Sequence, residues 1–351
     1  MTATITPVAT STHEEIYRVE DASVGLTGFI AVHSTLLGPA AGGLRMRPYV
    51  SAEDALIDVK RLSEGMTYKN AAAGLALGGG KAVIIGDPAV QKTPELLRAF
   101  ARAIDSLNGR YITAEDMGMS PADMAILAEE TSSVAGLADG DFASGDPSPI
   151  TARGIFNAIR CAWEHHTGQI DLSNRVVSVQ GLGHVGWYLC DLLNTAGAKL
   201  IVTDVNSAQL DRAVATFGAT AVAPEDIYAA EADIFAPCAI GGVLNSETIP
   251  QLKVSLVAGG ANNQLATPND AIALHKRGIL YAPDFVANGG GIINVATEIL
   301  KISNRSRFVA DRLEALQVTM AAILKQAKAD DVTPDAVAIA TVQAKMAPKA
   351  A

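Results

Sequence analysis

The chain has 351 residues, 49% of them hydrophobic and 18% charged, and a formal net charge of −10. That length predicts two domains and that composition supplies two cores, which excludes a disordered chain, and the acidic balance excludes a general nucleic-acid binder, which needs a basic face. Three widely spaced cysteines (Cys161, Cys190, Cys238) form neither a disulfide framework nor a zinc pattern, and predict a reducing, cytoplasmic setting. Residues 1–15 lack the basic start and apolar core of a secretory signal, and no apolar run is long enough to cross a membrane.

In chain order, GFIAVHS at 28–34 has the short apolar character of a strand. It leads into GPAAGGLRMRP at 38–48, where Gly42 and Gly43 either offer backbone N–H groups to an anion or form an ordinary turn. Ser51 opens a helix, with Asp54 in capping register and Ala55, Leu56, Val59 and Leu62 as its apolar face. The next stretch, GMTYKNAAAGLALGGGK at 65–81, carries Lys69 and Lys81 with no acidic residue between them. Gly78, Gly79 and Gly80 let backbone approach a ligand and adopt positive φ where a side chain would clash. A lysine in such apolar surroundings loses its proton more readily and can act as a base; the competing reading is two surface lysines flanking a tight turn. AVII at 82–85 is a strand. Thr93-Pro94 starts a helix with Leu97, Phe100, Ile104 and Leu107 on one face. After a strand at 111–113, Asp116 lies in a strand-to-helix loop, as a catalytic group or as a turn aspartate, before the cap Ser120-Pro121 with Asp123.

GLADGDFASGDPSP at 136–149 is a composition break, read as a domain boundary and hinge. A helix follows at 151–165, with His165 and His166 complementing its C-terminal dipole. Then VVSVQ at 176–180 runs into Gly181-Leu-Gly183-His184-Val185-Gly186, a helix, KLIVT at 199–203 and Asp204. Strand, GxGxxG, helix, strand and acid in register form a dinucleotide fingerprint, in which the helix N-terminus receives the pyrophosphate and the acid the ribose diol. An acid there repels a 2′-phosphate, which favours NAD over NADP. Further strands at 233–236, 254–258 and 279–282 end in Pro237-Cys238-Ala239, Gly259-Gly260-Ala261-Asn262-Asn263 and Pro283-Asp284. Ligands bind at the carboxyl ends of parallel strands. Cys238 reads as a packing residue near the cofactor, and Asn262 as either a ligand-orienting amide or a turn residue. Asn288-Gly-Gly-Gly291 precedes a helix at 292–300, and the last helix, opened by Thr333-Pro334-Asp335, is expected to return to the first domain. GGGK at 78–81 lacks the spacing of a phosphate-binding Walker loop, and the six histidines form no metal pattern.

Together these segments resemble the amino acid dehydrogenases of the glutamate, leucine, phenylalanine and valine superfamily. The resemblance runs from residue 29 to the C-terminal helices. It rests on GPAAGGLRMRP, GMTYK, LGGGKAVI, TAEDMG, DPSPITARG, VQGLGHVG, IFAPCA, GGANNQL and APDFVANGGGIINV, and is nearest in spelling to the leucine and phenylalanine branch. It implies an α/β protein of two domains with a cleft between them: a substrate and oligomerisation domain of 1–135 and 325–351, and a Rossmann-type NAD domain of 136–324. It implies reversible, NAD-dependent oxidative deamination of an apolar L-amino acid to a 2-oxo acid and ammonium, in a homo-oligomer built on dimers, without metal, membrane or nucleic acid. By that resemblance Lys69, with backbone at Gly42 and Gly43, binds the substrate carboxylate. Lys81 polarises the carbonyl or activates water, and Asp116 exchanges protons with the amino group. Asn262 and Asn288 position substrate and nicotinamide. Ala41, Met66, Ala114, Val286 and Ile292 line the substrate pocket. Gly181, Gly183, His184, Val185, Gly186 and Asp204 hold the cofactor, with Thr151, Cys238, Ala239 and Ala261 beside it. Ala41, where glutamate enzymes carry a lysine, disfavours glutamate. Leu44 and Gly290 depart from the usual Thr and Ala of the two branches and are expected near the pocket. An unusual amine substrate, or a regulatory NAD-binding protein without catalysis, are the alternatives.

Overall fold

The computed structural model describes residues 3–346, so that part of the expected first domain at 1–2 and 347–351 lies outside the described residues. The chain forms two compact units. One runs through Asp146 and takes in Asn294–Val309; the other comprises Pro147–Ile293 and resumes at Ala310.

The first unit is built on β1 (Thr4–Pro7), β2 (Glu15–Asp21), β3 (Leu26–Ser34), β4 (Ala40–Ala41), β5 (Leu44–Arg47), α1 (Ala52–Ala72), β6 (Gly78–Ile85), α2 (Pro94–Asp105), β7 (Tyr111–Ile112) and α3 (Pro121–Ala128). Its mixed sheet has the order β1-β2-β3-β6-β4-β7, with β5 also paired to β6. Strands β1 to β3 and β6 run antiparallel in succession, whereas β4 and β5 are parallel to β6. Alternation along β3 explains the layers, because successive side chains of a strand point to opposite faces. Ile30 and Val32 join Leu96, Leu97, Phe100 and Ile104 of α2 in one core, while Phe29 and Ala31 join Ala55 and Val59 of α1 in another. Each fully buried large side chain contributes about 1.5–3 kcal/mol over its exposed state. Ser51 caps α1 by accepting from Asp54 N–H, and Ser120 with Asp123 forms a full capping box on α3.

The three glycines at 78–80 adopt neither the positive φ expected of them nor the tight turn of the competing reading. They are extended residues of β6, and none has a positive φ. They are glycines because neighbours occupy the space of a side chain: a Cβ at 78 would fall on Ser34 O, at 79 on Thr67 of α1, and at 80 within 2.6 Å of the Tyr111 ring. The missing side chain at 79 lets α1 lie directly on the sheet.

The second unit contains α4 (Ser148–Thr167), β8 (Val176–Gln180), α5 (His184–Thr195), β9 (Lys199–Thr203), α6 (Ser207–Phe217), β10 (Thr220–Ala221), β11 (Ile234–Pro237), β12 (Leu256–Val257), α7 (Pro268–Lys276), β13 (Leu280–Tyr281) and α8 (Asp284–Ala287). Helices α9 (Gly290–Ile299) and α10 (Arg305–Asp330) begin and end here, but lend 294–309 to the first unit, and α11 (Pro334–Met346) completes it. All six strands are parallel, in the order β10-β9-β8-β11-β12-β13. Counted from β8 this is the 3-2-1-4-5-6 order of a dinucleotide-binding sheet, with its switch point between β8 and β11.

The domain bounds differ from the expected 135/136 and 324/325. The first break falls at Asp146, and the segment returning to the first unit is Asn294–Val309, not the final helices. The cause is a set of polar clamps. Glu298 accepts from the N–H groups of Gly136 at 2.8 Å and Ser144 at 2.9 Å, Asn294 donates to Ser144 O at 3.0 Å, and Arg305 donates to Ala143 O at 2.9 Å. Helix α11 instead packs on β13. No described helix is long and apolar enough to cross a membrane.

Candidate active site

The chemically active groups of the first unit converge from four segments far apart in sequence. Lys81 comes from β6, where its neighbours are Gly80 and Ala82, and it is 5% exposed. Its ammonium meets Asp116 Oδ2 at 2.8 Å, from the loop between β7 and α3. Arg45 Nε of β5 donates to the same oxygen at 2.9 Å, and Arg45 reaches on to Asp58 Oδ2 of α1 at 3.2 Å. Tyr49 closes the set by donating its hydroxyl to Asp58 Oδ2 at 2.7 Å.

Electrostatics follow from this packing. Burial disfavours the Lys81 ammonium and is the largest influence on it; Asp116 restores part of the loss, Arg45 adds to it, and the net result lies below the ordinary lysine value. For Asp116, burial pushes upward, but Lys81 and then Arg45 more than offset this and hold the carboxyl well below the usual carboxylate range. The lowered lysine is what the sequence predicts. Its acidic partner lies outside the 65–81 stretch and comes from Asp116.

Lys69 sits in the last turn of α1, and that turn is tied to β6 by Asn70 Nδ2 donating to Gly78 O at 2.5 Å. Met66, one turn earlier, lies over the first Gly-rich loop: a Cβ on Gly42 would approach Met66 Cγ to 3.0 Å. The expectation for Gly42 needs correction. Its N–H is donated to Ile112 O at 3.2 Å, and its carbonyl accepts the Tyr111 hydroxyl at 2.6 Å, so the Gly42 N–H is not free for an anion. A Cβ on Gly43 would lie 2.8 Å from Asp116 Cβ, which explains the glycine there. Ala41 and Ala114 are buried, and Ala114 O accepts from Leu44 N–H at 2.8 Å. Leu44 is fully buried in the core of the sheet, so it packs there and does not face the charged cluster.

In the second unit the fingerprint forms as its spacing predicts. Gly181 has φ +95, and a Cβ there would meet Ala239 at 2.8 Å; Gly186 lets α5 close against Gly181 O. At Gly183, the N-cap of α5, nothing lies within 4 Å of where a Cβ would be. That open glycine, followed by exposed His184 and half-buried Val185 at a helix N-terminus, suits a pyrophosphate. Asp204, at the end of β9, accepts from Leu182 N–H at 2.6 Å and from Asn206 N–H at 2.8 Å, so the acid shapes the turn. These residues fit a dinucleotide.

Beyond the switch point, Asn288 is 4% exposed and donates to Gly260 O at 3.1 Å and to Asn262 Oδ1 at 3.0 Å. Its own Oδ1 is buried without an acceptor's partner, while Asn262 is exposed and Ala261 buried. Asn288 thereby orients Asn262. Cys238 packs against Gly260, and burial pushes its thiol up to about 12, which removes it as a nucleophile. Thr151 donates to Pro147 O at 2.9 Å and abuts Gly291. Ile292 is buried, and Val286 lines a small internal void with Leu316 and Met320 of α10. A Cβ at Gly290 would fall on Ile150 O, whereas one at Gly289 would meet only the Leu316 side chain, so this segment tolerates an alanine at 289 and not at 290.

Arg45, Asp58 and Tyr49 were not legible as site residues. The available signal is periodicity: Leu44 and Met46 are core residues of β5, which turns Arg45 to the opposite face. Asp58 stands three residues after buried Ala55 on α1, at the edge of its packed face.

The chain is similar to known proteins over most of its length. A profile described as Glu/Leu/Phe/Val dehydrogenase, dimerisation domain, matches residues 11–133, and one for Glutamate/Leucine/Phenylalanine/Valine dehydrogenase matches residues 202–347. The chain is 50% identical to leucine dehydrogenase of Geobacillus stearothermophilus over 91% of its own length and 87% of the relative's. It is 46% identical to phenylalanine dehydrogenase of Bacillus thermotolerans over 92% and 85% of the two chains. The crystal structure of L-tryptophan dehydrogenase from Nostoc punctiforme superposes with a TM-score of 0.80 at 41% identity, covering 95% of this chain and 96% of the other.

Proposed function

The chain belongs to the glutamate, leucine, phenylalanine and valine dehydrogenase family, and from that premise we propose that it catalyses the reversible, NAD-dependent oxidative deamination of an apolar, branched-chain or aromatic, L-amino acid. The products are the 2-oxo acid, ammonium and NADH. The observation that carries this reading is the buried Lys81 held on Asp116 at 2.8 Å, a base of lowered pKa beside a fixed carboxylate. Relatives named for leucine, phenylalanine and L-tryptophan span aliphatic and aromatic side chains, which supports the class without choosing within it.

An amino acid arrives as a zwitterion. Lys69, with Gly43 backbone, answers its carboxylate. Asp116 takes the proton that the α-ammonium must lose before a hydride can leave Cα. Lys81, once neutral, activates the water that hydrolyses the resulting imine, a task for a base near neutral pH. Asn288 and Asn262 orient the amide and amino groups. NAD, when bound, supplies the hydride acceptor. Gly181, Gly183, His184, Val185 and Gly186 would hold its pyrophosphate, Asp204 its ribose, and Thr151, Cys238, Ala239 and Ala261 would surround the rest. Asp204 followed by Val205 and Asn206, with no cation beside it in sequence, supports NAD over NADP. A homo-oligomer built on dimers through the first unit is part of the proposal, supported by the description of the profile at 11–133. Three cysteines without disulfides are consistent with a cytoplasmic home.

The test is label transfer. With a Cα-deuterated apolar amino acid, purified protein should pass deuterium to NAD and release 2-oxo acid and ammonium in equal amounts. Loss of the label to water, or ammonium without reduced cofactor, would overturn the reading.

A further inference from the structure

Asp116 Oδ2 accepts two cations at once, Lys81 at 2.8 Å and Arg45 at 2.9 Å. Within this cluster the proposed chemistry assigns work to Lys81 and Asp116, so the second cation needs a reason. Arg45 is 11% exposed at its side chain, and a guanidinium never gives up its proton in this setting. A buried fixed cation is costly unless paired, and Arg45 is paired twice, through Nε to Asp116 and through Nη1 to Asp58. The planar fork bridges the two carboxylates, which a lysine ammonium cannot do with the same geometry. Tyr49 fixes the outer carboxylate, and Arg47 stacks on the Tyr49 ring with 5.0 Å to its centroid.

We propose that Arg45 and Asp58 are positioning residues that set the poise of the Lys81–Asp116 pair from behind: Arg45 keeps the carboxylate engaged so that Lys81 is free to release its proton, and Asp58 limits that effect. This rests on the proposed deaminase reading. The charge count explains the sign. Lys81 and Arg45 balance Asp116 and Asp58. Without Arg45, Asp116 has Lys81 as its remaining cationic partner and holds its proton in place. Without Asp58, Arg45 acts on Lys81 uncompensated. The influences on Lys81 run the same way, since Arg45 lowers its proton affinity while Asp116 and Asp58 raise it. Other titratable groups near the pair include Tyr111, which senses Asp116 and is held neutral by burial, Tyr49, and Glu115 next to Asp116 in the chain. Helix α1 contributes Asp58 and carries Lys69 about three turns further along.

The experiment compares pH profiles of kcat/KM for deamination in wild type, Arg45→Gln, Arg45→Lys and Asp58→Asn, each checked for folding by thermal melting and for NAD binding. Arg45→Gln should move the acid limb to higher pH by roughly one unit, lowering turnover about tenfold at a pH below the limb. Asp58→Asn should move it to lower pH, and Arg45→Lys should restore part of the position but not the full rate. A purely structural role predicts losses without opposite shifts. Superposed limbs, or shifts of one sign, would overturn the proposal, and if Arg45→Gln does not fold, the downward shift in Asp58→Asn decides it alone. A second readout needs no turnover: the carboxyl ¹³C resonance of Asp116, assigned with Asp116→Asn, should titrate at higher pH in Arg45→Gln and Arg45→Lys than in wild type. A wild type that shows no deamination but gives that shift would sink the deaminase reading and keep this one, and an unchanged resonance would sink this one.

Discussion

The two sites of this molecule are built in opposite ways. The second unit offers its proposed cofactor mainly backbone: a glycine with φ +95, an open N-cap at Gly183 and a carboxylate that braces the turn, all within one βαβ unit from β8 to Asp204. The first unit works with side-chain charge, gathered from β5, α1, β6 and the loop before α3 into a cluster of two cations and two carboxylates. A backbone site depends on local chain geometry and changes by steps when a glycine is lost. A charge cluster depends on long-range packing and can be tuned by degrees, because each member shifts the proton affinity of the others. Division of labour follows: the fixed turn suits a cofactor that is the same in every cycle, and the tunable cluster suits proton transfers.

The comparison is tested most severely where backbone and packing meet. In Gly79→Ala the new methyl falls on Thr67 and the Ser63 carbonyl of α1, so the helix must lift from the sheet that carries Lys81. We expect a loss of about 3 kcal/mol, read as a lower melting temperature, together with loss of turnover; unchanged melting would mean the glycines are not there for packing. Asp204→Asn should act more mildly. It weakens the bond to Leu182 N–H from charge-assisted to neutral, and NAD affinity should fall roughly tenfold, about 1.4 kcal/mol, in a binding titration, with the pH profile of the chemical step unmoved. A shifted profile would show the two sites are not separable in this way. Cys238→Ala should be the smallest change. In wild type its thiol is pushed up to about 12 by burial, so its alkylation at neutral pH should be slow, and turnover of the Cys238→Ala protein should stay close to wild type. Rapid inactivation by a thiol reagent at Cys238 would contradict this.

How much of this could be read in the sequence follows from the same contrast. The dinucleotide turn is contiguous, and its glycines, strand ends and Asp204 keep a spacing set by one local structure, so register alone identifies it. The strand β3, the caps at Ser51 and Ser120 and the face of α2 are legible for the same reason. The cluster is only half legible. Lys81 and Asp116 announce themselves by apolar flanks and by loop position, but the pairing of Arg45 with Asp116 and Asp58 depends on sheet order, with β5 beside β6, which no local pattern encodes. Gly78 to Gly80 misled in an instructive way. A glycine run signals either a turn or close packing, and here Thr67 and Tyr111 need the space. The return of Asn294–Val309 to the first unit was hidden because it rests on Glu298 and Asn294 gripping backbone some 150 residues earlier.

The central claim is that the charge cluster performs the chemistry and the glycine turn only holds the cofactor. The most direct measurement is NADH formation from NAD by wild type and Lys81→Ala across a panel of L-amino acids, with NAD binding measured on both proteins. The account predicts turnover on leucine, valine, isoleucine, phenylalanine or tryptophan in wild type, a fall of about 10²–10⁴ in Lys81→Ala, and equal NAD binding by the two. Silence of the wild type across the panel while NAD still binds, or a Lys81→Ala protein that turns over as well as wild type, would contradict it.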